Sequence, residues 1–189
     1  MRLAPLRKHN LVGEQAKLYG ALVGKSLGRS ESFALNQRGE VRGPLAVLLH
    51  HPASGWPLQE LAAVLRFSGL LPDAAREAVI LVVAAFWRDE HEWTSHEHIA
   101  RAAGMTSDEL ISLRRGDAVI FADPATQAAY AVAHAIVTTG DLSNDEYAAA
   151  RAVFDEERIV EITVLIGYYS LLSMQLRVFR VPAPAERAR

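Results

Sequence analysis

Cysteine is absent from this 189-residue chain. That absence removes disulfides, thiolate metal sites and every mechanism built on a cysteine nucleophile or redox pair. Long apolar runs are missing too. The longest, Ala78–Trp87, has ten residues, about half of the ~20 that a membrane-spanning helix needs, so no membrane partner is expected. Neither sign of charge dominates: 20 Lys and Arg stand against 22 Asp and Glu, for a net charge of −2. The basic residues are scattered, and Arg2, Arg7 and Lys8 form only a short run, so a nucleic-acid partner is not expected either. The stretch Asn10–Lys25 is interrupted by Glu14, Gln15 and Lys17, which does not read as a secretory signal, and a cytoplasmic location is the expectation. Extended alternating runs of Val, Ile and Thr, the mark of strands, are nearly lacking as well.

What is present is helical periodicity. With half its residues hydrophobic and 22% charged, the composition is that of an ordered globular protein. The length suits a single domain over 1–189, or two closely packed helical halves. A first helix is predicted over Leu11–Leu27, within an N-terminal helix and arm covering 1–40, and a loop of small and polar residues over Ser30–Gly43. Gly43-Pro44 opens a short helix that Pro52 stops, and Pro57 opens another over Leu58–Phe67. Pro72-Asp73 begins the apolar helix Ala74–Phe86. Asp89 begins the next, which runs to Ala103 before Gly104 as C-cap. Thr106-x-x-Glu109 and Ser143-x-x-Glu146 have the form of capping boxes and predict helices over Ser107–Arg114 and Asn144–Phe154. Ala125–Thr138 and Glu156–Phe179 complete the set, with a polar, fraying tail from Pro182. About nine helices and no sheet predict an all-α, compact multi-helix bundle.

The chemistry-bearing stretch is REAVILVVAAFWRDEHEWTSHEHIARAAG, Arg76–Gly104. Glu77 and Glu92 are fifteen residues apart, which one unbroken helix would stretch to about 22 Å. A reversal near Trp87–Asp89 would bring them together, and Asp89-x-x-Glu92 supports one, as Asp at N-cap and Glu at N3. The same two residues could do no more than satisfy free backbone N–H groups. Glu92 and His96 are four apart and share a helix face, where a carboxylate can orient an imidazole for general acid–base work. His98 points about 160° away from His96 and reads as a surface residue. Glu77 precedes an apolar helix, where burial would favour a carboxyl acting as an acid; it could equally sit near a helix start in solvent beside Arg76.

A metal site is not expected. HEWTSH has one residue too many for the HExxH spacing, and His91 and His96 lie about 140° apart on a helix. Arg42 could hold a substrate carboxylate bidentately or be solvated. His50 and His51 read as satisfying carbonyls at a helix end. Trp93 is a candidate pocket wall or a core aromatic. Glu161 and Tyr168, seven apart, share a face that could line a pocket, or pack in the core or a subunit interface.

The block REAVILVVAAFWRDEHEWTSHEHIARAAGMTSDEL resembles the carboxymuconolactone decarboxylase family, which includes the AhpD-like alkylhydroperoxidases. The resemblance is clearest over Pro72–Leu110 and extends to RGPLAVLLHHP, Arg42–Pro52, and VEITVLIGYYSLL, Val160–Leu172. It implies an all-helical fold and a homo-oligomer, a trimer or hexamer. The peroxidase branch has a Glu ahead of C-x-x-C-x-x-x-H. That Glu falls on Glu77, the His on His96, and the two cysteines on Asp89 and Glu92, which rules out thiol peroxidase chemistry through the motif. The remaining Glu77, Glu92 and His96 resemble the pattern of members without cysteines. This suggests acid–base chemistry on a small lactone or keto-acid carboxylate, by a lyase or decarboxylase needing no cofactor.

Two classes of function follow. In the first, Glu77, Glu92 and His96 are catalytic, and Arg42, Trp93 and Tyr168 bind a small-molecule substrate. In the second, the chain is a non-catalytic oligomeric helical protein whose Glu/His junction is a structural clasp.

Overall fold

The computed structural model describes residues 1–23 and 35–183. Among these residues the regular structure is α-helical, apart from one 3-10 turn at Lys8–Asn10 and two isolated bridges, Arg7 with Glu40 and Leu35 with Val41. The helices are α1 (Gly13–Val23), α2 (Gly43–Leu48), α3 (Pro52–Phe67), α4 (Asp73–Trp87), α5 (Glu90–Ala102), α6 (Ser107–Arg115), α7 (Pro124–Thr139), α8 (Asn144–Arg151) and α9 (Glu156–Val178). The chain divides into two compact units, Met1–Ser68 with Met174–Arg189, and Gly69–Ser173.

In the first unit, Leu18, Tyr19 and Leu22 of α1 pack with Leu11, Val41, Leu45, Ala46 and Leu49 in one apolar cluster. The extended N-terminus is tied down by backbone bonds from Val41 N–H to Leu6 O (2.7 Å) and from Arg2 N–H to Phe179 O (2.7 Å). The first helix, expected to reach Leu27, is described to Val23, and the rest of that expectation lies outside the described residues, as does part of the Ser30–Gly43 loop. Pro57 was expected to open a helix. Instead α3 begins at Pro52 and carries Pro57 inside it. Pro57 and the Ala53 whose carbonyl it leaves without a helical partner are both exposed, so water can satisfy that carbonyl and the break is softened. Gly55 is the position where α3 meets its neighbours. A Cβ there would lie 2.5 Å from Leu18 Cδ2 and 2.9 Å from the Leu48 carbonyl oxygen, and the second of these is backbone that cannot swing aside.

In the second unit, α4 is the central element, packed against α5, α6 and α7. Ala75 and every residue from 77 to 84 are buried. An all-round apolar helix is stable only when covered on all sides. Helix ends are fixed by side chains: Thr106–Glu109 and Ser143–Glu146 form full capping boxes, and Asp123 accepts from the Thr126 N–H and hydroxyl, both at 2.7 Å. Helix α9 turns Ile159, Ile162, Leu165, Ile166, Tyr169 and Leu172 inward. Its Glu161 accepts from the Leu70 N–H (2.6 Å), and the Arg158 guanidinium donates to the Leu70 carbonyl (3.3 Å). Glu161 therefore anchors the segment leading into α4. By length and composition alone, α9 could cross a membrane, but half of its most apolar window is buried inside the protein, as in a core helix.

Two outcomes follow. Gly55→Ala should cost about 1–3 kcal/mol, the usual penalty of overpacking, as a lowered denaturant midpoint with an unchanged denaturant slope; an unaffected midpoint would mean that the contact yields. Hydrogen bonds from Thr126 hold the Asp123 carboxyl below its ordinary pKa, and those from Ser143 do the same for Glu146. Depressed folded-state values contribute stability that is complete above the unfolded pKa and lost as pH falls through the folded one. Thermal melts should therefore drop below about pH 4, and less steeply in Asp123→Asn.

Candidate functional site

The site is built on the reversal between α4 and α5. Arg88 closes α4 in the left-handed region (φ 53°), and Asp89 then N-caps α5, its carboxylate accepting from the N–H groups of His91 (2.9 Å) and Glu92 (3.1 Å). A non-glycine residue in that region is strained by about 1–2 kcal/mol, and the cap offsets part of it. The turn lays the first turns of α5 beside Glu77 of α4, as the Asp89-x-x-Glu92 spacing predicts.

Glu77 is buried, 2% exposed, and its Oε2 lies 2.8 Å from His96 Nδ1. An ionised carboxylate can only accept, so Nδ1 carries the ring proton and donates it to Glu77. Nε2 faces the Tyr169 hydroxyl at 3.2 Å and Glu92 Oε2 at 3.6 Å. In the neutral ring, Nε2 accepts from Tyr169. In the imidazolium, it points its proton at the oxygens of Tyr169 and Glu92. The Tyr169 ring meets the imidazole edge to face, centroids 5.2 Å apart, which fixes the plane of the ring as well as its hydrogen bonds. The second oxygen of Glu77 lies 3.7 Å from Arg76 Nε, and that guanidinium also donates to Asp73 at 2.7 Å. A buried carboxylate without partners is costly; here a cation and an imidazole N–H share the load.

The expected residues fall into three groups. Glu77, Glu92 and His96 are brought together around one imidazole. Trp93 is buried beside them in sequence but packs elsewhere: its indole N–H donates to Glu97 (3.1 Å), and the Arg114 guanidinium lies over its ring at 5.4 Å. Burial pushes the Glu97 carboxyl up, yet hydrogen bonds from Arg101 and Trp93 outweigh it and hold the pKa below its ordinary value. Tyr168 packs edge to face on Tyr169, centroids 5.3 Å apart, and the Tyr169 hydroxyl reaches His96. Arg42 belongs to the first unit, as the N-cap residue of α2. His98 is exposed. Among the described residues, no group of three His, Cys, Asp or Glu side chains could hold a metal ion.

Tyr169 is the participant that sequence reasoning passed over, while Arg76, expected beside Glu77 only in solvent, accompanies it in the buried site. The signal for Tyr169 was its helical phase, since it falls in line with Ile162, Leu165, Ile166 and Leu172 on the buried stripe of α9, whereas Tyr168 is rotated by about 100°.

Comparison with curated protein sequences finds no match. The model of the carboxymuconolactone decarboxylase family matches residues 52–135, a span holding Glu77, Glu92 and His96. Among solved structures, the debrominase Bmp8 in its apo form aligns with TM-score 0.70 at 15% identity, over 96% of this chain and 91% of that one. A cysteine-to-alanine Bmp8 variant in complex with 2,3,4-tribromopyrrole aligns with TM-score 0.71 at 15% identity, over 98% of this chain and 92% of that one. At this identity the likeness concerns the fold. The family model thus matches the segment 52–135 that holds the site, and the solved structures share the all-helical fold.

Proposed function

We propose that this chain is a lyase of acid–base type that needs no cofactor and acts on a small lactone or keto-acid carboxylate. The observation that carries this reading is the polarity of His96: Glu77 holds Nδ1–H at 2.8 Å, which leaves Nε2 as the atom that takes and gives a proton. For a β-keto or β,γ-unsaturated acid, the carboxylate carbon bond breaks, CO2 leaves and its electron pair moves into an enolate or dienolate. The imidazolium Nε2 gives its proton to the carbon that gains the electron pair, and water later restores the proton to the ring. Glu77 and Glu92 stabilise the imidazolium by charge, and the Tyr169 hydroxyl is placed to donate to the developing enolate oxygen.

One observation favours the second reading. Both ring nitrogens already have protein partners, Glu77 and Tyr169, as in a clasp between packed helices.

Purified protein would be offered small β-keto acids and lactone carboxylates, with substrate loss and CO2 release followed with and without a chelator. His96→Gln should lower kcat by about 10²- to 10⁴-fold, the usual share of a general acid or base. Turnover undiminished in His96→Gln would sink the reading. No turnover on any substrate, with Glu77→Gln destabilised by about 1.5–3 kcal/mol for its lost charged hydrogen bond, would establish the clasp.

A further inference from the structure

The imidazole of His96 has a carboxylate near each end. Glu77 Oε2 lies 2.8 Å from Nδ1, and Glu92 Oε2 lies 3.6 Å from Nε2. Both carboxylates are buried, and the His96 side chain is only 12% exposed, so water screens these charges weakly. From α9 comes the Tyr169 phenol, which is neutral. Two such carboxylates favour the imidazolium, because it offers a proton to each. They oppose the neutral ring, whose bare Nε2 lone pair faces Glu92. A ring held permanently as imidazolium cannot release its proton, and so serves neither as acid nor as base.

One cation is set against this pair. Arg76 precedes Glu77 on α4, and its Nε lies 3.7 Å from Glu77 Oε1, the oxygen that His96 does not use. Successive residues on a helix point about 100° apart, so helical periodicity does not bring the two side chains together. The guanidinium is instead held at its far end by Asp73, one turn earlier, which accepts from a terminal nitrogen at 2.7 Å. The Arg76 side chain is 15% exposed, whereas that of Asp73 is 77% exposed. Arg76 therefore keeps its charge inside, beside Glu77, while the charge of Asp73 is screened by water. The buried charges paired to the ring, directly or through Glu77, are then two carboxylates and one guanidinium.

We infer that Arg76 is a positioning residue of this site. By cancelling one of the two carboxylate charges that flank His96, it lets the ring stand neutral with its proton on Nδ1 and exchange a proton at Nε2. It acts through Glu77 and needs no contact with substrate. The inference rests on the proposed acid–base role of His96, but it concerns the state of the ring, which can be read without any substrate.

Nitrogen-15 NMR of histidine-labelled protein gives that reading, with the His96 signals assigned by their loss in His96→Gln. At pH 8, above the ordinary imidazole pKa of about 6.5, the parent should show one protonated and one bare ring nitrogen. Arg76→Gln at the same pH should show both nitrogens protonated. Arg76→Lys, which keeps the charge, should return the bare nitrogen. So should Arg76→Gln combined with Glu92→Gln, because removing one carboxylate restores the balance; an arginine with a merely structural role would not be rescued by a change on another helix. Each variant is checked for helicity by circular dichroism, and Arg76→Met, whose apolar chain follows the buried stem, takes the place of the amide if that does not fold. With a β-keto acid as substrate, kcat of Arg76→Gln should fall about tenfold or more, yet less than in His96→Gln, with KM little changed. A ring spectrum unchanged in Arg76→Gln would overturn the inference, as would a parent ring already doubly protonated at pH 8. The expected spectra without turnover on any substrate would uphold the role of Arg76 and remove the lyase reading instead.

Discussion

The hydrogen bond between Glu77 and His96 is the constraint on which the second unit depends. Glu77 is a carboxylate in the most buried helix of that unit, among residues that bury no other polar side chain from 77 to 84. Such a group is tolerated only with partners that match its charge. One partner, Arg76, is its neighbour in the chain. The other must come from another element, and α5 can deliver it only if the chain reverses sharply after Trp87. The left-handed Arg88 and the Asp89 cap accomplish this within two residues. The orientation of His96 then determines which residue of α9 can meet its far side, and Tyr169 fills that place.

Asp89 and Glu92, where the resemblance would put the cysteines of the peroxidase branch, each serve the imidazole in a different way. Asp89 has become the cap of the helix that carries His96, accepting two backbone N–H groups. Glu92 has become a second negative charge near the same imidazole, on the nitrogen opposite Glu77. The result is a ring with a carboxylate near each nitrogen and a phenol at the outer one. That set of groups fits the acid–base chemistry proposed above.

Helix α9 joins the site to the outer surface of the protein. One stripe packs inward and delivers Tyr169, and Glu161 and Arg158 tie the entry to α4 at Leu70. Because both faces are apolar, the helix shows little amphipathic contrast, and its sequence alone does not distinguish the stripe that packs within the chain from the one left outside.

Much was legible in the sequence for local reasons. Capping boxes at Thr106 and Ser143, the Asp89 cap and the breaks before Pro44 and Pro72 are interactions over three or four residues, so spacing alone specifies them. The all-α class, the α4–α5 reversal and the shared face of Glu92 and His96 followed in the same way. What the sequence could not decide was set by distance in space. Pro57 continues a helix because its site is exposed to water. Trp93 turns to Glu97 and Arg114 rather than to the imidazole. Tyr169 meets His96 because the rotation of α9 is fixed by packing against the rest of the unit. Side-chain periodicity names the residues that share a face, but which face turns toward a partner is determined only when all the helices bury their apolar surface together.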